Sequence, residues 1–209
     1  MEEPVVVSIL TLSFCLIFGF PLYLLKNFGG QHNYSVKWVS HYFPSAPIFE
    51  KHQALGVIYS NLGLLLWIVI QCFIGYKYGF LTPIAYFVIP WVQVNMWLVC
   101  ITYLQHTDAR VPHYSNSEWD FLKGALATID RDWGVLNIFF HHITDTHVVH
   151  HLFSTLPFYN AQAALETIKP ILGDYYLNDD GAGIVASLWE SWRYCRFVDP
   201  EDKIMFYKY

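Results

Sequence analysis

Three apolar stretches set the strongest limit on what this chain can become. Residues 4–25 carry no charge over 22 positions, and residues 55–76 and 81–104 are equally free of charge and of similar length. At a rise of 1.5 Å per residue, helices of this length match the roughly 30 Å hydrocarbon core of a bilayer. In such a medium every backbone polar group must be satisfied within its own segment, which selects helices. The composition agrees: 55% of residues are apolar and only 14% are charged, against a usual charged share of about 25%. The chain is therefore expected to be an all-α integral membrane protein, with two to three membrane segments and a helical cap outside the bilayer.

The connections refine this picture. Only Lys77, Tyr78, Gly79 and Phe80 separate the second and third stretches, so those two must form a tight hairpin. Residues 26–54 read as an interfacial loop, interrupted by Pro44 and Pro47 and carrying Trp38, Tyr42 and Phe43, residue types that settle at headgroup depth. Within the third stretch, Gln93 and Asn95 are expensive to expose to lipid and are expected to face other helices or a cavity. From Gln105 onward, charges at Asp108, Arg110, Glu118, Asp120, Lys123, Asp130, Arg131 and Asp132 mark a region outside the membrane, residues 105–177, followed by a tail at 178–209. Ser115 and Glu118 form a capping-box pattern before Trp119, Leu122, Leu126, Ile129 and Trp133, which predicts a helix ending at Gly134. A second helix is predicted after Asn160, using Leu165, Ile168 and Leu172, distorted at Pro170 and stopped by Gly173. The tail is expected to be irregular or weakly helical.

Several classes of function are disfavoured. A net charge of −5 with no basic block argues against nucleic acid and against a polybasic lipid-binding patch. Cys15, Cys72 and Cys100 lie in apolar runs and Cys195 stands alone, so no disulfide framework is expected. The start Met1-Glu2-Glu3 lacks the positive charge of a secretion signal, and residues 4–25 are expected to be retained. Neither an HExxH nor a GxSxG motif is present.

Chemistry concentrates between His141 and His151, which holds half of the ten histidines. His147, His150 and His151 have the spacing H-x-x-H-H and fall within an arc of about 100° on a helix. Neutral imidazoles so placed can converge on a metal, and the adjacent pair His150 and His151 diverges enough to serve two. The alternative is a polar helix face whose histidines are only solvated. His141, His142 and Asp145 lie off this arc and suit supporting roles. His106, two residues past the third apolar stretch, is a fourth candidate ligand; its alternative is an interfacial histidine bonded to water.

The segment from His147 to Pro157, HVVHHLFSTLP, resembles the third histidine box of membrane fatty acid desaturases. The resemblance extends to Ile101–Thr107, Pro112–Tyr114, Glu118–Asp120, Gly124–Asp132, Lys169–Tyr176 and the loop His41–Ile48, and it points to the oleate, delta-12 (omega-6) subgroup. It implies a multi-pass enzyme of the endoplasmic reticulum membrane with the histidine region on the cytosolic side. Such an enzyme uses a histidine-ligated di-iron centre, dioxygen and electrons from a b-type cytochrome to desaturate the acyl chain of a phospholipid. Carried over residue by residue, the iron ligands would be His147, His150 and His151, with His106 as the additional histidine at the end of the last membrane helix.

The chain departs from the family in one large respect. Members carry two earlier histidine boxes, whereas here the only N-terminal histidines are His32, His41 and His52, isolated in a loop and read as interfacial or structural. The chain thus resembles the C-terminal half of a desaturase, and a missing N-terminal half or a desaturase oligomer would have to supply the other ligands. For the ligands to meet on one face, the second and third stretches are expected to form the spanning hairpin, while the first, kinked near Gly19 and Pro21, enters and leaves on one side or lies in the interface. Oleate hydroxylation and omega-3 desaturation are neighbouring activities on the same scaffold, and a non-catalytic lipid-binding or partner protein is the alternative of a different kind.

Overall fold

In a computed structural model, the chain is described over residues 3–31, 34–179, 181–199 and 201–208. His32 lies outside the described residues. The chain divides into two units, residues 1–99 and 100–209.

The first unit is built from long helices. Helix α1, Val5–Lys26, has no side-chain cap at its start and ends on Asn27 in the left-handed conformation, whose N–H bonds to the Tyr23 carbonyl. It stays helical through Gly19 and Pro21, since a proline inside a membrane helix is tolerated. Gly19 is a contact position: a methyl group there would come within 3.4 Å of Val99. Helix α2, Ala54–Tyr78, stops at Gly79, whose φ of 93° is one that L side chains rarely adopt. Two residues later begins α3, Leu81–His106, which contains a π-helical turn over Ile84–Val88. The hairpin expected from the four-residue spacer is present, closed by Trp67 against Phe87 and by Pro83 against Gly75.

Three helices, Val5–Lys26, Lys51–Tyr78 and Leu81–His106, are long and apolar enough to cross a membrane. On α2, the apolar side chains of Leu62, Leu65, Leu66, Ile68 and Val69 are all exposed. Asn95 is buried as expected, but Gln93 is exposed. Two residues on a helix point about 200° apart, so the pair could not share one face. The loop after α1 folds back on the helix ends: the Trp38 indole donates to the Leu25 carbonyl, the His41 amide to the Leu24 carbonyl, and Asn61 to the Tyr42 carbonyl. His41 packs its ring against Tyr23 at 4.5 Å, and His52 pairs with Glu50 at the surface.

Among the described residues, the second unit is a set of short helices tied by four two-residue strands. After α3 come β1 (His113–Tyr114), α4 (Phe121–Leu126), β2 (Asp130–Arg131), α5 (Val135–Phe139), α6 (His147–Leu152), α7 (Ala161–Leu172), β3 (Asn178–Asp179), α8 (Ile184–Tyr194) and β4 (Ile204–Met205). β1 pairs antiparallel with β4, and β2 pairs parallel with β3. The helix predicted to run to Gly134 is only α4, capped by Asp120 accepting from the Lys123 amide, and it ends at Leu126. Beyond it, Ile129 and Asp130 give their backbone N–H groups to Gln105 and Leu177, partners that no local helix supplies.

α7 starts and stops where predicted, with Gly173 at φ 54° ending it and Leu165 buried against Val148 and Val149, and it stays helical through Pro170. The tail is more ordered than expected. α8 buries Ser187, Leu188 and Ser191, and the small Ser191 hydroxyl reaches the Thr107 carbonyl at 3.0 Å. All four cysteines are free.

Candidate metal centre

The centre lies within the second unit, where α3 ends and α6 begins. α6 is short, and its orientation is fixed by burial: Val148 and Val149 enter the apolar core formed with Ala161 and Leu165. That leaves the opposite side of the helix for His147 and His151, which as an i,i+4 pair stand one above the other. His106, the last residue of α3, meets them. Its Nε2 lies 3.3 Å from Nε2 of His147 and 3.1 Å from Nε2 of His151, and the latter two are 3.2 Å apart.

Hydrogen bonding at the other ring nitrogens decides what these atoms are. His106 Nδ1 faces the Ala127 carbonyl at 3.1 Å and His147 Nδ1 faces the Ile143 carbonyl at 3.0 Å. A carbonyl can only accept, so both Nδ1 atoms carry the proton and both Nε2 atoms present lone pairs. Lone pairs aimed at one another across such distances repel unless a cation lies among them. With metal–nitrogen bonds of about 2.1 Å, adjacent ligands lie about 3.0 Å apart in octahedral and about 3.4 Å in tetrahedral geometry. The three observed separations fall inside that range, so the donor set fits a bound metal ion.

The electrostatics keep the ligands ready. Burial, reinforced by the neighbouring imidazoles, lowers the His147 pKa to about 3 and that of His151 to about 4. Both rings are therefore neutral at physiological pH, and a metal need not displace a proton from them. Beneath the helix start, Asp130 is buried and accepts from the Val148 amide at 2.9 Å and from the Tyr176 hydroxyl at 3.1 Å. Burial pushes its carboxyl up to about 6 despite these bonds.

Of the sequence candidates, His106, His147 and His151 come together. His150 is exposed and gives no nitrogen to the triad; its ring centroid is 5.5 Å from that of His147 and 5.7 Å from that of His151. His142 instead binds Asp145 through Nδ1 at 2.9 Å, with Gln162 also at 3.0 Å, and His141 stacks on Phe158. Reading the sequence missed the role of residues 127–131, which touch both ligand-bearing helices; the acidic-basic pair Asp130-Arg131 inside an apolar pattern was the available signal.

A family model described as fatty acid desaturase matches residues 7–181. The Delta(12) fatty acid desaturase of Mortierella isabellina is 42% identical over 208 residues, covering 99% of this chain and 51% of that protein. The Delta(12)-oleate desaturase of Trichosanthes kirilowii is 47% identical over 187 residues, 90% of this chain and 50% of that protein. A Brassica juncea protein named omega-6 fatty acid desaturase, endoplasmic reticulum, is 45% identical over 196 residues, 92% of this chain and 49% of that protein. The chain spans about half the length of the curated relatives it matches. No solved structure matches.

Proposed function

Because the chain belongs to the fatty acid desaturase family, we propose that it forms one wall of a histidine-ligated di-iron centre that converts an oleoyl chain of a membrane phospholipid to linoleoyl. The observation that carries this reading is the triad His106, His147 and His151, with two imidazoles protonated on the far nitrogen and all three Nε2 atoms within bonding reach of a single ion. His150 faces elsewhere and suits the second iron. The remaining ligands come from residues outside this chain, in a further segment or a second subunit.

Iron held by these histidines, together with the ligands from outside this chain, would supply the dioxygen chemistry needed to remove two hydrogens from unactivated C–H bonds, with two electrons from a b-type cytochrome and water as the other product. The residues of this chain do the rest. His106 and His147 anchor their rings through carbonyls so that only Nε2 would face a metal, and burial disfavours the charged imidazolium and limits water, which would divert a strong oxidant. The triad includes His106, the last residue of α3, a helix long and apolar enough to cross a bilayer, which favours a substrate drawn from the membrane. The endoplasmic reticulum is the proposed membrane, in keeping with the name of one relative. The names of the relatives favour delta-12 desaturation over hydroxylation, omega-3 desaturation or a non-catalytic role.

The test is expression of residues 1–209 in a host that makes oleate but no linoleate, alone and together with a segment bearing the family's two earlier histidine boxes. The expected outcome is membrane insertion in both cases and linoleate only in the second. Linoleate from residues 1–209 alone would mean that a histidine such as His41, His52 or His113 completes the centre, and absence of product from both would refute the assignment as a desaturase wall.

A further inference from the structure

Residues 127–131 touch both elements that carry the triad. On the side of His106, Ala127 offers its carbonyl to the His106 ring, Thr128 donates its hydroxyl to the Gln105 carbonyl at 2.8 Å, Ile129 donates its amide to the same carbonyl, and the Arg131 Nε donates to the Leu104 carbonyl at 3.0 Å. On the side of His147, Asp130 accepts the Val148 amide, the amide of His147 also faces that carboxylate, and the Arg131 amide bonds the Thr144 carbonyl at 2.8 Å. The charges follow the ends they meet: a carboxylate at the start of α6 and a guanidinium at the end of α3. The N-cap of α6, Thr146, makes no side-chain cap bond. The helix that carries His147 and His151 thus borrows its N-terminal acceptor from a residue 18 positions upstream.

We propose that Asp130 is a positioning residue, which, held by the Tyr176 hydroxyl, sets the pitch and depth of α6 so that His147 and His151 meet His106 at metal-binding distance. A six-residue helix has few bonds of its own with which to resist rotation. Losing the acceptor for its first free amides lets it turn about the Val148–Val149 contact. A small rotation there moves the imidazole nitrogens, several ångströms out from the axis, apart by more than a metal site tolerates. Tyr176 connects this point to the end of α7, so the carboxylate is itself fixed in direction. The inference rests on the reading of the triad as a metal site.

The experiment uses Co²⁺ as the probe, titrated into residues 1–209 in lipid nanodiscs and followed by the visible d–d absorption. Hydrogen exchange at the Val148 amide and circular dichroism are measured alongside. Asp130→Ala is expected to weaken Co²⁺ binding about 10- to 100-fold, the range found when a group that orients a ligand is removed, to change the absorption band and to abolish protection of the Val148 amide. Asp130→Asn combined with Tyr176→Phe keeps an oxygen for the Val148 amide and removes the hydroxyl that the new amide group would face. Having kept the acceptor but lost the Tyr176 contact, it is expected to bind Co²⁺ more weakly than the parent yet at least about threefold more tightly than Asp130→Ala. Should Asp130→Ala fail to fold, the double variant alone decides. Co²⁺ affinity within twofold of the parent and an intact Val148 amide in Asp130→Ala would overturn the proposal, as would a folded double variant that binds as poorly as Asp130→Ala. A parent chain that binds no Co²⁺ would count against the metal site and not against the positioning, which the exchange at Val148 then tests by itself.

Discussion

Replacing His147 by alanine is expected to lower metal binding by this chain more than about 100-fold, beyond the range seen for groups that only orient a ligand. Linoleate should fall to background when the variant is paired with the two earlier histidine boxes. His147 is the most buried of the three imidazoles and lies 3.3 Å and 3.2 Å from its two partners. Water entering its place would lie between the His106 and His151 rings, whose Nε2 atoms it would have to satisfy in the imidazole's stead. His106→Ala and His151→Ala should behave alike, because each removes one of three donors. His150→Ala provides the contrast. Its ring is exposed and outside the triad, so Co²⁺ binding by residues 1–209 should stay within about twofold of the parent, while product formation by the completed enzyme is lost with the second iron. Metal titration and product analysis of the same four variants check this. Loss of Co²⁺ binding in His150→Ala equal to that in His147→Ala would show that the triad is wrongly drawn.

The second large effect is on folding. Arg131 is buried, with 4% of its side chain exposed, and all three of its nitrogen positions are used: Nε on the Leu104 carbonyl, one terminal nitrogen on Asp108 at 2.9 Å, the other on Asp179. Burial alone would raise the Asp108 carboxyl, but hydrogen bonds and charge from Arg110, with the charge of Arg131, hold it below the usual carboxylate range. It is therefore ionised where the arginine meets it. Arg131→Ala would strand a buried carbonyl and leave two carboxylates short of their common cation. Breaking a buried pair in this way costs about 3–5 kcal/mol. For a unit of roughly a hundred residues that corresponds to a fall in Tm of more than about 10 °C, readable by the thermal loss of near-ultraviolet circular dichroism. Arg131→Lys keeps the charge but cannot bridge three acceptors, and should lie between the parent and the alanine variant. A Tm within about 2 °C of the parent for Arg131→Ala would contradict the role of this arginine as the tie between residues 104, 108 and 179.

These two side chains also show where the sequence was legible and where it was not. The apolar runs predicted helices because membrane helices satisfy their backbone locally, and α1, α2 and α3 follow them closely. The same holds for α7, whose stop at Gly173 is a local feature. The helical spacing of His147 and His151 was equally readable. In contrast, Ile129 and Trp133 continued the spacing of Leu122 and Leu126 yet lie beyond the end of α4. Their chain segment is held by Gln105, Leu177 and Thr144, partners that lie more than ten positions away and leave no periodic trace. α8 went unread in the tail because serines, not large apolar residues, form most of its buried side. His106 could be placed at a helix end from the sequence, but its meeting with His147, 41 positions later, is a consequence of that same long-range tie.

X-ray absorption at the cobalt edge of residues 1–209 loaded with one equivalent of Co²⁺ tests the central claim most directly. The expected first shell contains three imidazole nitrogens at about 2.1 Å, reduced by one in each of His106→Ala, His147→Ala and His151→Ala and unchanged in His150→Ala. A first shell of oxygen alone, or one indifferent to His147→Ala, would contradict it.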